Sequence, residues 1–533
     1  MSERRAYALV FVLALGWAGL LAALIEQPGY TDAYYYYNAA ERWVGGQGLT
    51  DPYLWTYLDA PDTLPTPAFH YWMPLTSLLA AGSMALFGTH FGAAQIPSAL
   101  SFAALVTLTY ALGVAVGGAR RHGVLGALLV AFGGFYTPFW TTTDAFALYG
   151  LVGAGALVAI GRGKCTEALS PAPREKVRRS SAAWRWYVLG GALSGLAHLT
   201  RADGVLLLGV LLAVALWPRP RAHWRGALAG LLAYLLVVLP WLVRNWAQFG
   251  APLPSGGLST AWLRSYDDLV AYPPNLRAAD FWAWGAENIL ASRWEAFRNN
   301  LGTFIAVETW VVLGPFALGA LWARRKQPFW WGGALYALGL HAAMTLVFAF
   351  PGYRGGLFHS AAALLPFWAV LSVLGLETGV GWLARLRAWP RAQAQRVFSG
   401  AAVALAVALS LGVLSARLPR WNANGDFYRT LADDLPPDAV VMVNDPPALY
   451  YHAGLAGVVV PNADPSVLPQ IARQYGVTHL LLDVNRTAPF TRLWSGSEQR
   501  DFLRLIRVYG TETPDPADDR RLFELVLQER SEP

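Results

Sequence analysis

The stretch EQPGYTDAYYYYNAAERW, residues 26–43, decides how this chain is read. It begins where a long apolar run ends, and the turn pair Pro28-Gly29 places one carboxylate, Asp32, just beyond the run. Four consecutive tyrosines follow, and residues 33–44 then read as a short amphipathic helix lying on the membrane. A lone acid at the mouth of a hydrophobic segment, followed by aromatic residues, marks a site built at a bilayer surface.

The composition agrees. Of 533 residues, 55% are hydrophobic and only 14% are charged, more apolar side chain than a water-soluble interior can absorb. The chain is therefore expected to be a polytopic α-helical membrane protein. The first apolar run follows the basic "SERR" without a small-residue cleavage pattern, so it reads as a retained first helix. The net charge of +7 is carried by basic links between apolar runs, which argues for one-sided loops and against a nucleic-acid surface. Cys165 is the single cysteine, which excludes an intramolecular disulfide and a cysteine metal site.

Working outward, residues 6–25 form the first span, with Arg4 and Arg5 holding the N-terminus in the cytoplasm. Loop 26–70 is poor in Lys and Arg and is placed outside. Apolar stretches follow at 71–88, 94–118, 122–140 and 142–160. The segment 161–185 carries seven basic residues against two acidic ones and is assigned to the cytoplasm. Further spans fall at 186–201, 203–217, 226–243, 302–322, 328–350, 360–377 and 398–415, with loop 244–300 outside. Arg120 and Arg121 also belong inside, so 71–88 is read as dipping into the membrane without crossing, which gives eleven crossings and leaves twelve or thirteen open. After residue 416 the character changes. Five short β-rich runs and two helical stretches in 417–533 predict a small external α/β domain beside the membrane domain 1–416, with no phosphate-loop motif.

Several polar residues gather on the expected external ends of helices: Asp32, His70, Asp144, Arg201, Asp203, Arg244, Arg264, Arg354 and His359. Ionisable groups at bilayer depth are costly, so a one-sided set points to a site. Asp32 serves as a general base or as a helix cap, and Asp144 in "TTTDAF" is open to the same two readings. Arg201 and Asp203 flank a tight hairpin that an ion pair between them would hold, and His198 reads as a packed histidine. Arg244, Arg264 and Arg354 suit a phosphate, or lipid headgroups, because the guanidinium offers paired donors. The glycines beside Arg354 in "PGYRGGLFHS" allow close approach of the backbone. No spacing matches a dedicated zinc site, and a divalent cation, Mg2+ or Mn2+, would have to use Asp32 and Asp144.

The order of Asp32 with "AYYYYNAAERWVGGQGL", then "FHYWMPL", "TTTDAF" and "AHLTRADGVLLL", resembles the membrane-embedded glycosyltransferases of the C superfamily (GT-C) over about residues 6–415. The bacterial branch with protein O-mannosyltransferases and lipid A aminoarabinose transferases is the most similar. Two positions depart from the family pattern. Ala33 stands where a paired Glu would follow the outer-loop Asp, and His70-Tyr71-Trp72 precedes Pro74 in place of a Lys-Pro-Pro-like motif. The resemblance implies a GT-C bundle of 11–13 transmembrane helices in the plasma (inner) membrane. It implies transfer of a sugar from a polyprenyl-phosphate donor to a lipid, glycan or protein acceptor outside. Asp32 would be the base, Asp144 a second catalytic acid, and His70, Arg201, Asp203, Arg244, Arg264, Arg354 and His359 the substrate-binding residues, with membrane lipids the remaining partner and no nucleic acid. Two other readings stay open on the sequence: a lipid-linked sugar transporter, and a non-enzymatic envelope assembly protein.

Overall fold

The computed structural model describes residues 2–59, 61–168, 173–219, 222–253, 255–510 and 519–527. Of the basic links, Arg221 and the side chains of Arg174, Lys176, Arg178 and Arg179 lie outside the described set. The chain divides into two compact units. The first is made of residues 1–27, 72–252 and 290–420, the second of residues 28–71, 253–289 and 421–533.

The first unit is a helical bundle, and the protein is a multi-pass membrane protein. Among the described residues, six helices are long and apolar enough to cross a bilayer: Glu3–Leu24, Phe91–Gly117, Phe146–Thr166, Trp224–Phe249, Ala349–Leu386 and Arg391–Asp433, the last running on into the second unit. Three shorter apolar helices, Leu75–Phe87, Ala202–Leu216 and Gly314–Ala323, lie among them. Six helices pass on length where eleven to thirteen spans were expected, and the difference is local. The expected span 122–140 leaves the α-helix after Ala131 and continues as a 3-10 turn, Gly134–Phe139. The span 302–322 is interrupted by a π-turn, Phe304–Glu308, and by the left-handed residues Trp310 and Val311. The span 328–350 passes into a second π-turn, Ala343–Val347. Leu75–Phe87 has 13 residues, so it is about 20 Å long, short of a hydrocarbon core of about 30 Å. Neighbouring helices meet closely where glycines face: a Cβ on Gly191 would stand 1.9 Å from the Gly230 carbonyl oxygen.

The second unit is built on a six-stranded sheet in the spatial order Tyr53–Leu54, Ala456–Val458, Val440–Met442, His479–Leu482, Arg520–Leu525, Leu503–Tyr509. The first four strands run parallel, and the last two pair antiparallel. All five β-rich runs of residues 417–533 form strands, and "PPALYYHAG" forms the helix Pro446–Ala453. The central strands are covered on both faces, which is why they read as unbroken apolar runs. Met442, Leu480 and Leu482 enter one core, while Val441 and Leu481 enter the other.

The outer-loop helix forms where expected, over Thr31–Val44. Its four tyrosines are at most 5% exposed, because they pack inside the second unit. The Tyr34 hydroxyl meets His452 Nε2 at 2.9 Å, and Tyr35 donates to Asp51 at 2.9 Å. Asn38 donates to the Pro447 carbonyl at 2.9 Å, and Arg42 reaches the Thr50 carbonyl and the Tyr450 hydroxyl.

Candidate functional site

In the first unit the chemistry collects on the broken segment Ala349–Leu386. Gly355 adopts φ 145° inside the π-turn Gly352–Gly356, a conformation reserved for glycine, and the kink ends in the short helix Leu357–Ala361. The Gly355 carbonyl accepts from His359 Nδ1 at 2.8 Å, so that nitrogen carries a hydrogen. The other ring nitrogen, Nε2, lies 3.0 Å from Asp144 Oδ2. Both nitrogens therefore face acceptors, and the Nε2–carboxylate gap requires a positive centre, either a proton or a metal ion. Asp144 is 1% exposed and its other oxygen accepts from the Ala145 amide, at the turn before helix Phe146–Ala168. The Phe146 ring stacks on His359 with centroids 4.0 Å apart, which fixes the imidazole plane. With Nδ1 committed to a carbonyl, Asp144 and His359 offer one oxygen and one nitrogen donor and are capable of coordinating a divalent cation.

The next residue, Ser360, joins a second network. Its hydroxyl donates to Asp203 and accepts from Arg201 Nε at 2.9 Å, and Arg201 also pairs with Asp203 at 3.2 Å. The expected Arg201–Asp203 pair is present and is tied to a residue 157 positions away. Tyr336 donates to the Ser360 carbonyl and meets the Tyr149 hydroxyl at 2.7 Å. His198 is buried against the Tyr234 hydroxyl. Arg354 is exposed on the π-turn. Arg244 packs its guanidinium over Trp241 and Phe249 and donates to Asn245.

In the second unit Asp32 sits in the first turn of helix Thr31–Val44, where the helix dipole favours a carboxylate. Its neighbour Thr31 donates to Asp445 at 2.9 Å. Asp445 also caps helix Pro446–Ala453, accepting from the Ala448 amide. Burial pushes the Asp445 carboxyl up to about 6, against the lowering effect of these two donors, and the charges of Asp32 and Asp483 push the same way. Asn444 donates to Asp483 at 2.6 Å, so this polar group lies at the carboxyl ends of two parallel strands. His70 lies 3.1 Å from the Thr66 hydroxyl and 3.5 Å from an Asp59 oxygen. Arg264 pairs with Asp268 at 3.6 Å within its own turn.

The structure thus groups Asp144 with His359 and Arg201 with Asp203, and it places Asp32, His70 and Arg264 in the second unit. Sequence reading passed over Ser360, Asp445 and Glu308. The N-cap pattern Asp-Pro-Pro at 445–447 signalled the second, and an acid inside an apolar run signalled the third.

No protein-family model matches the sequence, and no curated protein matches it. Solved structures do. ArnT from Cupriavidus metallidurans bound to undecaprenyl phosphate aligns over 98% of this chain and 99% of its own, at 15% identity and a TM-score of 0.59. The archaeal oligosaccharyltransferase AglB from Archaeoglobus fulgidus, in complex with an inhibitory peptide and a dolichol-phosphate, aligns over 100% of this chain and 75% of its own, at 12% identity and 0.58. The Archaeoglobus fulgidus oligosaccharyltransferase in complex with Zn and sulfate aligns over 94% and 72%, at 13% identity and 0.57. At such identities the likeness is one of fold: the chain shares its fold with ArnT and AglB.

Proposed function

We propose that this protein transfers a sugar from a polyprenyl-phosphate-linked donor to an acceptor, at the external face of the plasma (inner) membrane and with inversion. The observation that carries the reading is the near-complete two-way coverage with ArnT bound to undecaprenyl phosphate. An acceptor hydroxyl attacks the anomeric carbon, the bond from that carbon to the phosphate oxygen breaks, and the phosphate departs on its lipid. Asp32 takes the acceptor proton, a task its place in a helix first turn suits because the carboxylate form is favoured there. Arg354 and Arg264 neutralise charge on the departing phosphate, and Arg201, Asp203, Arg244 and His70 bind substrate. Asp144 and His359 hold a divalent cation, which when bound supplies a Lewis acid for phosphate oxygens. The oxygen and imidazole donors suit Mn2+ better than Mg2+.

Asp32→Asn is expected to keep the fold and to lower transfer by at least about two orders of magnitude. The assay is release of free polyprenyl phosphate from its sugar-loaded form by protein in nanodiscs given an envelope-lipid acceptor extract. Near-normal turnover would overturn the base assignment, and movement of the intact donor without bond cleavage would point to a transporter. The orientation follows from Arg4, Arg5 and the basic links, which hold the N-terminus in the cytoplasm and the 417–533 domain outside. A membrane-impermeant thiol reagent on intact cells should label a cysteine placed in 496–500, and labelling only after lysis would reverse the assignment.

A further inference from the structure

A cavity of about 580 Å3 opens in the first unit, away from the Asp144–His359 pair. It lies where helix Glu3–Leu24 begins, where helices Phe91–Gly117 and Phe146–Ala168 end, and beside the 3-10 turn Pro328–Trp330. Its wall is largely apolar, with Leu108, Leu112 and Phe329 among its residues. One acid and one base, Glu3 and Arg162, also line it. The Tyr7 hydroxyl donates to Glu3 at 3.1 Å and so holds the carboxylate at the cavity. Arg4, Arg5 and Arg120 stand exposed at the same helix ends, the arrangement expected where a bundle meets headgroups.

We infer that this cavity binds one phospholipid whose headgroup carries both a primary ammonium and a phosphodiester, a phosphatidylethanolamine-type lipid. The Arg162 guanidinium matches the phosphodiester, because its fork offers paired donors to two phosphate oxygens. Glu3 accepts from the ammonium. An anionic headgroup without an amine satisfies Arg162 but leaves Glu3 facing like charge, and a choline headgroup brings a cation with no N–H to donate. The volume falls in the range of small-ligand sites, about 300–1,000 Å3, so it takes the headgroup and the upper part of the chains while the rest stays in the bilayer.

Cys165, the single cysteine, lines the same cavity and is partly exposed, so the native protein reports on its own occupant. Full-length protein is placed in nanodiscs of phosphatidylethanolamine with phosphatidylglycerol, of phosphatidylglycerol alone, and of phosphatidylcholine with phosphatidylglycerol. Alkylation of Cys165 by N-ethylmaleimide is followed by intact mass, and lipid retained on the protein in detergent is read by native mass spectrometry. The ethanolamine lipid should slow alkylation at least about fivefold relative to the other two discs, as a site mostly filled at excess lipid requires. It should also be retained as a single adduct. Glu3→Gln and Arg162→Gln should each lose both effects while melting at the wild-type temperature. Equal alkylation and equal retention in all three discs would overturn the inference. So would protection in phosphatidylglycerol discs restored by added undecaprenyl phosphate. If Cys165 reacts in none of the discs, retention decides, and no preference for the ethanolamine lipid is a negative result.

Discussion

Helix Pro446–Ala453 carries an acid at its start and a histidine near its end, and the two are displaced in opposite directions. Burial raises Asp445 from 3.8 to about 6. Burial lowers His452 from 6.5 to about 4, Arg429 pushes the same way, and Asp426 opposes. A raised carboxyl contributes stability that is present below its unfolded value and is lost as pH rises through the folded value. A depressed imidazole contributes stability that is present above its unfolded value and is lost as pH falls through the folded one. The Asp445 shift is worth about 3 kcal/mol in full, and the His452 shift less, because solvent screens its part-exposed ring. At pH 5 the two slopes have opposite signs, about –1 kcal/mol per pH unit for Asp445 and a smaller positive one for His452, so they offset each other and the wild-type second unit should vary little with pH from about pH 4.5 to 6. Asp445→Asn removes the falling slope. Its second unit should then gain stability as pH rises across that window, by less than about 1 kcal/mol per pH unit, and the His452→Gln variant should lose about 1. The assay is amide exchange of strands Val440–Met442 and His479–Leu482 and of helix Thr31–Val44, corrected for intrinsic rates, since Thr31 bonds to Asp445 and Tyr34 to His452. A flat profile in both variants would refute the opposed-titration account.

Two other expectations concern the bundle. Glu308 is fully buried and accepts from His341 Nε2 at 3.0 Å and Trp368 Nε1 at 2.9 Å, so Glu308→Ala strands two donors and should cost about 3 kcal/mol, with Glu308→Gln milder, read as thermal unfolding in detergent. Gly355→Ala must hold φ 145° and sets a Cβ 3.6 Å from the His359 ring, so it should destabilise by about 1–2 kcal/mol and weaken Mn2+ binding, followed by calorimetry, about tenfold or more.

What the sequence made legible is what local chemistry dictates. The C-terminal strands are bounded by Pro, Gly and Asp, and each apolar run between such punctuation became a strand. The tyrosine helix was equally visible, but not its surroundings. Four tyrosines look the same whether their hydroxyls meet headgroups or protein, and Tyr34 finds His452 418 residues away. The polar site residues were singled out one by one, because charge near apolar runs is a local signal. Their pairing was not visible, since Asp144 and His359 are 215 positions apart and nothing near either residue encodes that distance. The breaks inside the spans were not legible either: hydropathy is blind to the π-turns and left-handed residues that interrupt 302–322 and 328–350.

Those breaks and the polar groups belong to one design. An unbroken α-helix from Ala349 would satisfy the Gly355 carbonyl within its own ladder. At the φ 145° kink that carbonyl accepts from His359 Nδ1. This fixes the tautomer, turns Nε2 toward Asp144, and sets Ser360 against Asp203 and Arg201 one residue later. Arg354 lies one residue before the kink, exposed on the same π-turn. The π-turn Gly352–Gly356 and the short helix after it thus carry Arg354, His359, which faces Asp144, and Ser360, whose hydroxyl anchors the neighbouring ion pair. A regular helix would have spread residues 354, 359 and 360 over different faces, at 100° per residue. The departure from helical geometry therefore changes where Arg354 points relative to His359 and Ser360, and the glycine pair at 355 and 356 is its mark in the sequence.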